Sequence, residues 1–180
     1  MNLFLSVIIV LGVVLVDVVT KVMAASLLPP NGAPQPVIGQ VVQLALVYNP
    51  GAAFGLYLGA YSRWIFMVLT VVALVVLWRL FRQTLPTQRL RAVAIALIAA
   101  GAIGNLIDRI RSDLGVVDFL DVGVGMHRWP TFNVADMAVS VGALLLAWVL
   151  WQDEPTANES TADAAFAQVT SDLPSGPDQA

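Results

Sequence analysis

The chain has 180 residues, 58% of them hydrophobic and only 12% charged, a composition too apolar for a water-soluble fold of this size to hide. It has no cysteine and one histidine, His127, which excludes disulfides, thiolate zinc sites, cysteine nucleophiles and any metal site needing two imidazoles. The net charge of −3 is divided, because Asp153, Glu154, Glu159, Asp163, Asp172 and Asp178 lie in a tail without Lys or Arg; the remaining body is mildly basic and does not suit a nucleic-acid binder.

Four apolar stretches approach the length of about 20 residues that a helix needs to cross a hydrocarbon core. The first, residues 3–19, is broken only by Ser6 and Asp17. No basic residue precedes it and three more spans follow, so it reads as a retained membrane helix and not as a cleavable signal. Pro29-Pro30-Asn31-Gly32 then signals a turn, and residues 37–48, rich in Val, Leu and Ile around Gln40 and Gln43, suit strands. Asn49-Pro50-Gly51 ends that run. Residues 52–58 are expected to form a short interfacial helix, and Phe54 and Tyr57 between Gly51, Gly55 and Gly59 suit a flexible cover or a membrane anchor.

Spans two to four are residues 61–80, 92–107 and 134–151. Arg79, Arg82, Arg89 and Arg91 crowd the connection between spans two and three, which the positive-inside rule places in the cytoplasm. Both termini are then cytoplasmic. The outer face collects Asp17, Thr20, Lys21, Asn105, Asp108, Arg109 and Asp136, with Trp64 and Trp129 suited to an interfacial aromatic belt. Residues 152–180 are too polar to order themselves and read as a disordered acidic cytoplasmic tail. The expected fold is an all-α integral membrane protein: one domain, residues 1–151, with four transmembrane helices, a small extracytoplasmic β-sheet and an interfacial helix.

Acids in the body are Asp17, Asp108, Asp113, Asp118, Asp121 and Asp136. A carboxylate at membrane depth costs about 2.5 to 3.5 kcal/mol on insertion scales, so Asp17 and Asp136 need a purpose there. Capping a helix is one such purpose for Asp136, which opens span four. A serine triad would have to use His127, expected at the surface, and a Ser-Lys dyad would have to use Lys21, the only lysine. Two carboxylates sharing a proton are the economical choice, one drawing a proton from water while the other polarises a carbonyl. Asp118 and Asp136 have the apolar neighbours that disfavour ionisation. Asp113 and Asp121 sit among glycines and read as solvated, and Asp108 beside Arg109 reads as an ion pair. The rival classes are a small transporter or channel subunit binding a cation on its outer-face carboxylates, and a magnesium-dependent phosphotransferase using Asp108, Asp113, Asp118 and Asp121.

Five blocks in order, Asp17-Val-Val-Thr-Lys21, Asn49-Pro-Gly-Ala-Ala-Phe-Gly55, Gly101-Ala-Ile-Gly-Asn-Leu-Ile-Asp-Arg109, Val116-Val-Asp-Phe119 and Phe132-Asn-Val-Ala-Asp136, resemble the signature blocks of bacterial lipoprotein signal peptidase, also called signal peptidase II. The resemblance covers roughly residues 1–151. It implies an intramembrane aspartyl endopeptidase that removes signal peptides from prolipoproteins bearing a diacylglyceryl cysteine, without metal or cofactor, in contact with membrane lipid and with no nucleic-acid partner. It further implies Asp118 and Asp136 as the catalytic pair, with Asp17, Lys21, Asn49, Asn105, Arg109 and Asn133 supporting them or binding substrate. The first block carries Val18 where the family commonly has glutamine.

Overall fold

The structure, a computed structural model, describes residues 2–51 and 58–153. The expected interfacial helix at 52–58 lies outside them except for Leu58, as does the tail from residue 154 on. Two units can be distinguished, Met1–Leu146 and Ala147–Ala180; of the second, only residues 147–153 are described, and they form the end of a helix.

Among the described residues four helices are long and apolar enough to cross a membrane: α1 (Asn2–Leu27), α2 (Ser62–Gln83), α3 (Arg89–Arg111) and α4 (Val134–Asp153). Each runs past its expected end. α1 continues eight residues beyond Val19, since nothing between Thr20 and Leu27 breaks a helix before the Pro29-Pro30 turn. α3 takes in Asp108 and Arg109, and α4 includes Gln152 and Asp153, which composition alone assigns to the tail. Large apolar side chains such as Leu15, Val68 and Leu144, 64%, 63% and 74% exposed, face outward from these helices, as expected where the surroundings are hydrocarbon and not water.

α3 is the central helix, packing against both α1 and α2. Small residues allow the approach: Ala92, Ala96, Ala100, Gly101 and Gly104 are buried along it. A methyl added at Gly101 would collide with the Ala135 carbonyl oxygen and lie 2.7 Å from Val139 Cγ2, and one at Gly104 would lie 2.5 Å from Asp17 Oδ2. Gly101→Ala is therefore expected to destabilise the chain by about 1–3 kcal/mol through overpacking. Thermal unfolding in detergent checks this, and an unchanged midpoint would refute it.

The extramembrane connections form a four-stranded antiparallel sheet in the order β1 (Gln35–Ile38), β2 (Val42–Asn49), β3 (Val116–Val124), β4 (His127–Arg128). Its first half was expected; β3 and β4 are additions. Register runs from Val42 opposite Val122 to Asn49 opposite Val116, with an irregularity between Leu44 and Val47. Gly115, with φ of 104°, makes the turn into β3 against the backbone of Asn49, where no side chain would fit. One face of the sheet closes over the end of α1, burying Leu46 and Phe119 against Ala24 and Leu28. β3 thus reaches the ends of α1 and α3, and Asp118 comes with it.

Candidate active site

Asp118 lies on β3, only 3% exposed, and both its oxygens accept hydrogen bonds. Asn133 Nδ2 donates to Oδ1 at 2.7 Å and Asn49 Nδ2, from the end of β2, to Oδ2 at 3.1 Å. Asp136 sits in the first turn of α4. Asn105 Nδ2, from α3, donates to its Oδ1 at 2.8 Å, and the Asn133 backbone N–H donates to its Oδ2 at 3.2 Å. Asn133 is fully buried and immediately precedes α4; its Oδ1 accepts the Asp136 N–H at 2.9 Å. Asn133 and Asp136 therefore form a reciprocal capping box. The cap itself is Asn133, and Asp136 is the acid three residues on.

Asp118 and Asp136 line one cavity of about 480 Å³, together with Asn49, Asn105 and Arg109. Its apolar walls come from α2, α3 and α4, including Phe66, Ala102 and Val139. The Asp118 carboxyl is pushed up from its ordinary 3.8 to about 7, first by burial and second by the neighbouring Asp136 charge, against the opposing pull of the Asn49 and Asn133 donors. Near neutral pH, then, one acid of the pair carries a proton while Asn133 contacts both, by its side-chain amide at Asp118 and its backbone N–H at Asp136, an arrangement suited to acid–base chemistry on water and a carbonyl.

Asp17 and Lys21 lie behind the pair, 0% and 2% exposed. Lys21 Nζ meets Asp17 Oδ2 at 2.8 Å, Asp108 Oδ2 at 2.9 Å and Asn105 Oδ1 at 2.9 Å. The expected Asp108–Arg109 ion pair is thus replaced by Asp108–Lys21. Consecutive residues of one helix point about 100° apart, so Asp108 turns to α1 while Arg109 turns the other way. Arg109 is buried; its Nη1 donates to the Asn105 carbonyl at 3.2 Å and its Nη2 to the Gly51 carbonyl at 2.9 Å, with the guanidinium 5.8 Å from the Phe66 ring centre.

The remaining acids are separated. Asp113 is exposed and paired with Arg63. Asp121, expected to be solvated, is buried and accepts from Arg128 Nε at 2.6 Å, an ion pair created by the β3–β4 hairpin. With Asp108 on Lys21, Asp113 on Arg63 and Asp121 on Arg128, the four acids of the magnesium alternative do not converge. His127 is exposed on β4. Val18, the departure from the usual first block, lines a separate cavity of about 240 Å³ with Lys21, Tyr48 and Asp108, and does not line that of the aspartate pair. Asp108 was not among the residues assigned to the site, although a lone buried lysine needing more than one carboxylate was a signal for it.

Comparisons with known proteins give the chain's relatives. The family model described as signal peptidase (SPase) II matches residues 9–152. A lipoprotein signal peptidase of Moorella thermoacetica is 41% identical over 138 residues, 77% of this chain and 87% of the relative. One from Syntrophotalea carbinolica is 44% identical over 142 residues, 78% of this chain and 87% of the relative. A bacterial membrane enzyme solved by the in meso method superimposes with a TM-score of 0.75 at 32% identity, covering 85% of this chain and 90% of that one.

Proposed function

Because the chain belongs to the signal peptidase II family, we propose that Asp118 and Asp136 are its catalytic pair and that it cuts diacylglyceryl-modified prolipoproteins just before the lipidated cysteine. The chain is a multi-pass bacterial membrane peptidase of the aspartyl class, and prolipoproteins are its substrate class. The observation that carries the assignment of the pair is the shared cavity, in which two carboxyls from different elements are both contacted by Asn133.

In this reading Asp136 takes a proton from the attacking water while protonated Asp118 donates a hydrogen bond to the scissile carbonyl. Asp118 yields that proton as the tetrahedral gem-diol forms; on its collapse the C–N bond breaks, the proton held by Asp136 passes to the departing amine, and Asp118 takes back a proton from the gem-diol as the carboxyl product forms. Asn49, Asn105, Arg109 and Asn133 orient the pair and the substrate backbone, with Asp17 and Lys21 supporting them. A diacylglyceryl group stays in lipid, so the bond beside it is held near headgroup level. The pair sits at the end of the bundle opposite the arginine-rich α2–α3 connection. With that connection cytoplasmic, the site is near the outer face and both termini are cytoplasmic. The transporter alternative would extend polar groups toward the other end of the bundle. A cavity of about 350 Å³ among α1, α2 and α3, lined by residues including Leu3, Leu77 and Trp78, has no charged side chain in its wall.

The decisive assay compares lipidated with unlipidated precursor, using the purified chain and its Asp118→Asn variant. Cleavage of the lipidated form alone, lost in the variant, is expected; equal cleavage of both forms would overturn the substrate assignment. The pH profile is a second test. Asp118 must hold its proton, so kcat/KM is expected to fall as pH rises through about 7, approaching tenfold per unit above it. A rate still rising at pH 9 would contradict this role. We also propose that residues 154–180 form a cytoplasmic tail dispensable for cleavage; removing them should leave turnover within about twofold.

A further inference from the structure

We propose that Lys21 is a positioning residue for the aspartate pair, its ammonium locking the Asn105 amide while its two carboxylate partners hold the backbone just before each acid. The inference rests on the assignment of Asp118 and Asp136 above and gives the route by which Lys21, which touches neither, acts on both.

The geometry has three arms. In the first, Asn105 Oδ1 accepts from Lys21 Nζ at 2.9 Å and from Asn133 Nδ2 at 3.2 Å, which leaves its Nδ2 for Asp136 Oδ1 at 2.8 Å. An Asn side chain can present oxygen or nitrogen to either side. With a cation behind it, only one orientation avoids setting an NH2 against an ammonium and an oxygen against a carboxylate. The Asn133 amide is set in turn, since its Nδ2 reaches both Asn105 Oδ1 and Asp118 Oδ1.

In the second arm, Asp17, paired with Lys21 at 2.8 Å, accepts the Ala135 N–H at 2.8 Å. In the third, Asp108, paired with Lys21 at 2.9 Å, accepts the Val117 N–H at 3.2 Å. Ala135 precedes Asp136 and Val117 precedes Asp118. One buried cation therefore sets two carboxylates that each grip the peptide group leading into one acid of the pair. Misplacements on the ångström scale at a reacting centre can cost about a hundredfold.

The test uses the full chain in detergent with a lipidated precursor, with wild-type cleavage and the inactivity of Asp118→Asn as controls. If those controls fail, the functional reading fails, independently of Lys21. The double variant Asp17→Asn with Lys21→Gln exchanges the buried ion pair for two amides of similar size, and the amide oxygen at position 17 can still accept from Ala135. Asp108, 13% exposed at its side chain, loses its cation in this variant, which costs stability; the variant is expected to fold with a lowered thermal midpoint and to keep its KM within about threefold, while kcat falls about a hundredfold. The charged groups around Asp118 are Asp136 on α4, Lys21 on α1, and Arg109 and Asp108 on α3, with Asp17 behind Lys21. Loss of the Lys21 charge should move the alkaline limb of the pH profile upward, which a purely structural role would not do. Lys21→Arg keeps the charge but not the point geometry that serves three oxygens, and is expected to fold with kcat down at least about tenfold and the limb unmoved. A folded double variant with kcat within about threefold of wild type and an unmoved limb overturns the proposal. Should the double variant not fold, Lys21→Arg decides, and wild-type kcat there overturns the proposal. Failure of both to fold would make Lys21 a folding residue only and also overturn it.

Discussion

Asp118→Asn and Asp136→Asn should each lower the rate of prolipoprotein cleavage by at least about a thousandfold, the scale of a lost general acid or base, in chains that still insert and fold. Neither change removes much volume or introduces a charge. Their effects on stability should differ in a way that identifies the protonated acid. The Asp118 carboxyl holds its proton up to about 7 in the folded chain, against an ordinary 3.8. Below about 3.8 both states are protonated and its ionisation contributes nothing to the difference. Between 3.8 and 7 the unfolded chain releases the proton that the folded chain keeps, so the fold loses stability as pH rises, and above 7 the full cost of a buried carboxylate remains. Asn at this position escapes that cost. It loses about 1 kcal/mol because one of the two amide donors, Asn133 or Asn49, now faces an NH2. Relative to wild type, the Asp118→Asn thermal midpoint should therefore be higher at pH 8 than at pH 4, measured in detergent. A midpoint difference independent of pH would deny Asp118 its proton, and near-normal turnover in either variant would remove the pair from catalysis.

The parts of this architecture legible in the sequence were those written in local pattern. Hydrophobic runs gave four spans, and arginine clustering supports the proposed orientation. Apolar neighbours singled out Asp118 and Asp136, and the five motif blocks linked them to a family. What was missed depends on contacts between distant segments. β3 contains Asp118, Asp121 and Gly123 within nine residues, which reads as an interrupted apolar run until β2 supplies its ladder. The charge on Asp121 is tolerated only because the hairpin through Gly125 returns Arg128 to it. Asp108 looked like a partner of Arg109 because the two adjoin in sequence. Helix geometry turns them apart, and the true partner, Lys21, lies far off in the chain on α1. Asn133 looked like one polar residue in a motif, whereas its fully buried side chain contacts Asp118, Asn105 and Asp136 at once.

Asn133 accordingly offers the second large effect, through a pair of substitutions that separates its two duties. Its oxygen caps α4 by accepting the Asp136 N–H, and its nitrogen donates to Asp118 at 2.7 Å. Asn133→Ala removes both, costing about 1 kcal/mol for the cap and freeing the Asp118 carboxyl from a donor that favours its charged form. Asn133→Asp keeps the cap acceptor but sets an oxygen where the donor stood. A third carboxyl then faces the pair, so the site must take up an extra proton or endure like charges in a buried space. The Asp variant should thus recover much of the cap's stability relative to Ala, yet remain at least about a hundredfold below wild type in kcat. Both variants should move the alkaline limb of the rate profile upward, because each removes a donor that held Asp118 down. Thermal midpoints and pH–rate profiles of the two variants, measured side by side, test the division. If Asn133→Asp restored turnover along with stability, capping alone would explain the residue, and the amide would have no part in holding the two acids in their unequal states.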